Sequence, residues 1–202
     1  MATATDTTWR DRLVTPERVI AAIRPGMRIF LSSGVAEPRL MARQLLGAPG
    51  AALEDIELIQ LLSFDAALAT DETQWPHCRL KTFFADWVAD AAIAEGRVDF
   101  IPSRFTRIPY LIESGLVPVD MAIVQVTPPN KDGYCSLGMA LDVAREAMEH
   151  AAIAVGEINP RIPHTFGDTY VPVSEFDLLV ESDLPPPLFD RWPFDETVDR
   201  LA

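Results

Sequence analysis

Cysteine is scarce. Cys78 and Cys135 are the only two, too few for a disulfide framework, and neither belongs to a CxxC pair that would hold a metal or run redox chemistry. Cations are short as well: 17 Lys and Arg against 30 Asp and Glu give a formal net charge of -13. That balance opposes non-specific binding to nucleic acid or to an anionic membrane, since both need a cationic footprint. No uninterrupted apolar run reaches the roughly eighteen residues of a membrane-spanning helix, and residues 1–12 contain no apolar signal-peptide core. The expected compartment is therefore the cytoplasm. His77, His150 and His164 show no HExxH or other metal spacing. GxGxxG is missing, which removes the dinucleotide fingerprint, and Ser33 lacks the GxSxG elbow of a serine hydrolase. Internal repeats and low-complexity segments are absent too.

What is present is alternation. At 202 residues and 49% hydrophobic, the chain can bury one sizeable core, and one domain is expected. Short apolar segments predict strands over residues 28–32, 56–63, 80–84, 98–101, 121–126, 153–158 and 176–180. Several are apolar on both faces, the mark of a largely parallel sheet covered by helices on each side, hence an α/β fold. Thr15-Pro16 supplies a helix N-cap with proline at the first helical position, and that helix is expected to end near Pro25-Gly26. Further helices are predicted after Pro38 and over residues 87–94, 108–114 and 143–152.

Two loops carry the candidate chemistry. Ser32-Ser33-Gly34-Val35-Ala36-Glu37-Pro38 is the turn between the first strand and the helix after it. Such turns lie at the carboxyl end of an open α/β sheet, where ligands bind and free backbone N–H groups can hold an anion or oxyanion. A plain connection, with Gly34 relieving strain and Pro38 starting the helix, fits the same residues. The second loop follows the strand over residues 121–126, which is apolar except for Gln125. Pro128-Pro129 ends its ladder because proline cannot donate to it. Gly133 and Gly138 then free the backbone for positive φ and for close approach to a ligand or a second domain, and a helix restarts from Asp142. Gln125 either faces a site or is a satisfied core amide. Asp132, standing before glycine, reads as a turn-former rather than a catalyst.

The segments Ile29-Phe-Leu-Ser-Ser-Gly-Val-Ala-Glu-Pro38, Gly96-Arg-Val-Asp-Phe-Ile-Pro102, Val124-Gln-Val-Thr-Pro-Pro-Asn-Lys-Asp-Gly-Tyr-Cys-Ser-Leu-Gly138 and Gly156-Glu-Ile-Asn-Pro160 with Gly167-Asp168 together resemble a known family in order and approximate spacing. It is the acetyl-CoA hydrolase/transferase family, which includes 4-hydroxybutyrate CoA-transferases, and the resemblance is to its amino-terminal half. It implies the family I CoA-transferase-like fold. It also implies acyl-CoA and a small carboxylate as substrates, with coenzyme A entering as a thioester and no permanently bound cofactor. Ser33, Gly34, Ala36 and Pro38 correspond to the family's glycine-containing active-site loop. Gln125, Pro129, Asn130, Gly133 and Gly138 correspond to a segment lining the cleft between two domains, shaping the acyl-CoA pocket without proton transfer. The family's nucleophile is a glutamate in a second α/β domain that begins about where this sequence stops. No catalytic or metal-binding residue is therefore expected within these 202 residues.

Departures from the pattern concern cations. Arg104 and Arg107 stand where members more often carry apolar or acidic residues, either as a relocated carboxylate contact or as surface arginines. The arginine usual shortly after Phe83-Phe84 is missing, with Ala89 nearest. CoA is a polyanion, so its phosphates are expected mainly on another domain. The expected organisation is a domain over residues 1–184, then a proline-rich linker and the start of a helix over 185–202 leading towards a second domain. Leu188, Phe189, Trp192, Pro193, Phe194 and Val198 need a partner surface, which predicts a homo-oligomer or tight binding to a second CoA-transferase domain. The rival reading is a noncatalytic partner-binding or regulatory module. A sugar-phosphate isomerase on the related fold would want phosphate-binding glycines and an acid/base pair, and neither is visible.

Overall fold

Apolar segments bounded by Gly, Pro and Asp become nine strands and five helices among the residues that the computed structural model describes, which are 9–47, 53–62, 78–85 and 90–188. In chain order these are α1 (Pro16–Ile20), β1 (Arg28–Leu31), α2 (Arg39–Gly47), β2 (Ile56–Gln60), β3 (Cys78–Thr82), α3 (Asp90–Ala94) and β4 (Val98–Phe100). There follow α4 (Ile108–Glu113), β5 (Met121–Val126), β6 (Tyr134–Ser136), α5 (Ala144–His150), β7 (Ile153–Ile158), β8 (Tyr170–Pro172) and β9 (Leu178–Glu181). Seven strands form one sheet in the order β4-β3-β2-β1-β5-β7-β9, every neighbouring pair parallel.

Both faces of this sheet are apolar because both are covered. Ile29, Leu31, Leu58, Met121, Ile123 and Val155 pack with Val19, Met41, Leu45 and Ala92 of α1, α2 and α3. On the opposite face Phe30, Ile59, Ala122, Val124 and Ala154 pack with Ile108, Ile112, Ala144 and Met148 of α4 and α5. The chain steps outwards from β1 to β2, β3 and β4, then returns to place β5 on the other side of β1. That reversal makes the carboxyl ends of β1 and β5 the topological switch point, where open α/β sheets bind ligands. The loops over 34–38 and 128–138 leave these two adjacent parallel strands, so both start at the same end of the sheet.

At that end the apolar face beneath α2 gives way to a row of polar side chains: Thr82, Gln60, Ser33, Gln125, Glu157 and Ser182, all buried. Gln60 pairs in register with Thr82, and Gln125 with Glu157. The amino-terminal segment is tied to the last strand. Val14 N–H donates to Leu179 O at 2.8 Å, and the Arg12 guanidinium donates to the carbonyls of Val173, Ser174 and Phe176.

The structure revises several expected boundaries. The first helix stops at Ile20 rather than near Pro25, and Thr15 has extended backbone without a side-chain capping bond. β3 runs over Cys78–Thr82, displaced towards the amino terminus from the expected 80–84, because Lys81 and Cys78 fit a partly covered ladder beside β2. β9 starts at Leu178, two residues late. The antiparallel ribbon of β6 and β8 was not expected at all. Its strands are three residues long, too short for alternation to register. The apolar tail over 189–202 and the segments 48–52, 63–77 and 86–89, with His77 and Ala89, lie outside the described residues. Leu188 is exposed.

Candidate functional site

Ser33 and Gly34 open the first loop, and its shape is held by hydrogen bonds on all sides. Ser33 Oγ accepts from Leu61 N–H at 2.8 Å, and Gly34 N–H donates to Leu62 O at 3.1 Å, tying the loop to the end of β2. Gly34 takes φ 58°, in the left-handed region that glycine occupies without a Cβ penalty. Ala36 and Glu37 donate back to Ser33 and Gly34 carbonyls. Gly34 N–H, one of the backbone donors that such a turn is expected to offer an anion, is thus already engaged. The loop offers a fixed surface rather than a set of open donors there.

Behind the loop sits its polar support. Gln125 Nε2 donates to Glu37 O at 2.8 Å, while Gln125 Oε1 accepts no hydrogen bond among the described residues, so the buried amide is only half satisfied. Glu157 accepts the N–H groups of Leu40 and Met41 at 3.2 and 2.9 Å, so a buried carboxylate caps the amino terminus of α2. Burial pushes the Glu157 pKa up, opposed by those N–H groups, by Ser182 and by the charge of Arg39. Ala36 and Pro38 are buried.

In front of the loop is an open cavity of about 490 Å³ over the ends of β1, β2 and β3. Ser33, Gly34 and Val35 form one wall; Leu61 and Leu62 form the next. Phe84 and Ala85 continue it, and Phe105, Ala140 and Asp142 close the side towards α4 and α5. Thr82 Oγ donates to Leu61 O and Phe84 O, which joins the two strand ends that carry the apolar wall. The Phe84 and Phe105 rings lie 6.2 Å apart.

Asp142 is a functional candidate that sequence reasoning passed over as the start of a helix. It has φ 36°, one of two non-glycine residues with positive φ among those described. Its Oδ2 accepts Ser33 N–H at 3.4 Å, and its buried Oδ1 accepts no hydrogen bond among the described residues. Burial pushes its pKa up to about 7, partly opposed by the N–H groups of Ser33, Ala144 and Val143 and assisted by the nearby charge of Glu146. Nothing in the sequence signals this, because an aspartate ahead of a helix is ordinarily an exposed cap.

The second loop divides. Asn130 Oδ1 accepts from Asp132 and Tyr134 N–H, and Asn130 O accepts from Gly133 N–H, Gly133 having φ 82°. These residues build the turn into β6, with Asp132 exposed in it. Gly138 has φ 70°, and a Cβ there would meet Ile162 Cδ1 at 3.0 Å. Pro129 lines a different cavity, of about 540 Å³, with Trp9, Ile158, Pro160 and Ser182. Ser33 and Gly34 are therefore brought together with Asp142, not with Asn130 or Gly133. Arg104, Arg107, His150 and His164 are exposed. Burial raises both cysteine thiols to about 12, which leaves Cys78 and Cys135 poor nucleophiles.

The profile of the acetyl-CoA hydrolase/transferase N-terminal domain matches residues 2–188. The chain belongs to that family. It is 30% identical to 4-hydroxybutyrate coenzyme A transferase of Clostridium kluyveri, over 88% of this chain and 41% of the relative. It is also 30% identical to succinyl-CoA:acetate/propanoyl-CoA:succinate CoA transferase of Fasciola hepatica, over 89% of this chain and 37% of the relative. The chain thus spans about two fifths of the length of these curated relatives. Among solved structures, 4-hydroxybutyrate CoA-transferase from Porphyromonas gingivalis superposes with TM-score 0.68 at 25% identity, over 89% of this chain and 41% of that one. RipA from Yersinia pestis gives TM-score 0.80 at 22% identity, over 95% and 47%, a likeness of fold. The described residues hold no cluster of His, Cys, Asp and Glu able to bind a metal and no helix long and apolar enough to cross a membrane.

Proposed function

We propose that this domain supplies one wall of the acyl-CoA site in an acyl-CoA:carboxylate CoA-transferase or acetyl-CoA hydrolase. The nucleophilic glutamate comes from a second domain. The observation that carries the reading is the cavity beside the switch point, bordered by the rigid Ser33–Gly34 turn, in a chain of this family. The domain's contribution is binding and shape: an apolar wall for the acyl group and a loop whose geometry is set by β2 and by Asp142. Ser33, Gly34, Ala36 and Pro38 serve in or directly behind that wall, supported by Gln125. Pro129, Asn130, Gly133 and Gly138 shape the neighbouring rim that meets the second domain.

In the reaction, a glutamate carboxylate attacks the acyl-CoA carbonyl and expels the CoA thiolate, leaving an acyl-glutamyl anhydride. The thiolate attacks the glutamyl carbonyl, releasing the acyl group as a carboxylate and leaving a glutamyl-CoA thioester. In a transferase a second carboxylate reverses these steps, and in a hydrolase water takes its place. The 202-residue chain alone is expected to show no exchange of label between acetate and acetyl-CoA above background, and exchange is expected once the second domain is joined to it. Robust exchange by the purified chain alone overturns the assignment of the nucleophile. Absence of exchange and hydrolysis from a folded two-domain protein overturns the enzymatic reading in favour of a noncatalytic module.

A further inference from the structure

The cavity wall has a charge bias that bears on which acyl groups it takes. Its described lining is apolar except for Ser33 and Asp142, and its one ionisable group is an acid. Arg104 and Arg107 flank Phe105, but both are exposed and neither belongs to the lining. An acyl tail ending in a methyl or a ring gains contact with Val35, Leu62 and the Phe84–Phe105 pair. A tail ending in a second carboxylate is desolvated against those same groups and meets no cation in the described lining, where the one ionisable group is Asp142.

We infer that the cavity selects acyl groups with an uncharged, apolar tail and discriminates against dicarboxylic acids of the same length. This rests on the reading of the cavity as the acyl site. The phenylalanine pair sets the width, the leucines and Val35 set the apolar character, and Asp142 offers a carboxyl where a second carboxylate would need a cation.

Pentanoate and glutarate isolate the effect, since they share a five-carbon chain and differ in the terminal group. Methyl NMR of Val35, Leu61 and Leu62 in this chain reads binding directly, without any requirement for turnover. Pentanoate is expected to shift these methyls, and glutarate to bind at least about tenfold more weakly. Leu62→Lys, which places a cation in the wall, is expected to narrow or invert that preference. Equal or tighter binding of glutarate by the unaltered chain overturns the inference, as does failure of pentanoate to shift the cavity methyls. A two-domain protein that exchanges no CoA while this selectivity persists refutes the proposed reaction and supports the selectivity, so the two failures are distinguishable.

Discussion

Replacing Asp142 by asparagine should make the protein more stable at pH 8, with an advantage that shrinks steadily as pH falls through 7, 6 and 5 and vanishes below about pH 4. The carboxyl is pushed from 3.8 to about 7 by burial. The folded state therefore binds its proton more tightly than the unfolded chain. Between those two values the native state holds more protons, so stability must fall as pH rises, and the loss is complete once pH exceeds the folded pKa. A shift of about three units at about 1.4 kcal/mol each gives roughly 4 kcal/mol, an upper value because Asp142 retains some surface. Asparagine keeps an oxygen to accept Ser33 N–H but never ionises. Urea unfolding of both proteins at pH 5, 6, 7 and 8 gives the difference directly, and comparison at each pH cancels the parallel contribution of Glu157, whose pKa is also raised. A stability difference that does not change with pH, or an asparagine variant weaker than the parent at pH 8, would refute the reasoning.

Gly156→Ala should cost about 1–3 kcal/mol, because the new Cβ would stand 2.8 Å from Leu179 Cδ2 and 3.1 Å from Phe176 in a filled core; thermal unfolding checks it. Glu157→Leu should cost about 1–3 kcal/mol by leaving the N–H groups of Leu40 and Met41 without an acceptor, seen as lost amide protection in α2 by hydrogen exchange. Asp120 pairs with Arg28 at 2.7 Å, which holds its carboxyl below the usual value. Its contribution is present above about pH 4 and lost as pH falls through the folded pKa, so Asp120→Asn should flatten the acid limb of a stability profile by about 1 kcal/mol.

The sheet was readable because its strands are short apolar runs interrupted by turn-forming residues. Met121–Val126 and Ile153–Ile158, buried on both faces, fall where their hydrophobicity puts them. β6 and β8 were not readable, since three residues with Tyr134 exposed and Cys135 buried carry no period that distinguishes strand from loop. At the site, Gly34 marked the strand-to-helix turn, but which N–H groups remained open was decided by tertiary partners such as Leu62 O and Asp142, distant in sequence. Glu157 and Gln60 look like ordinary polar interruptions in strands. Their alignment into a buried row follows from register across the sheet, a long-range property that local composition does not contain.

The strand order has a consequence for how the domain is made. β1 is flanked by β2 and β5, and its pairing of Leu31 with Ile123 closes a loop of about ninety residues, so the centre of the sheet cannot form by local hairpin zipping. The segment around Arg12 and Val14 must wait longer still, for Phe176 and Leu179. On the ribosome, the first-made part of the described chain is therefore left without its partner until the last strand has emerged. The edge of β1 itself stays open only until β5 has been made.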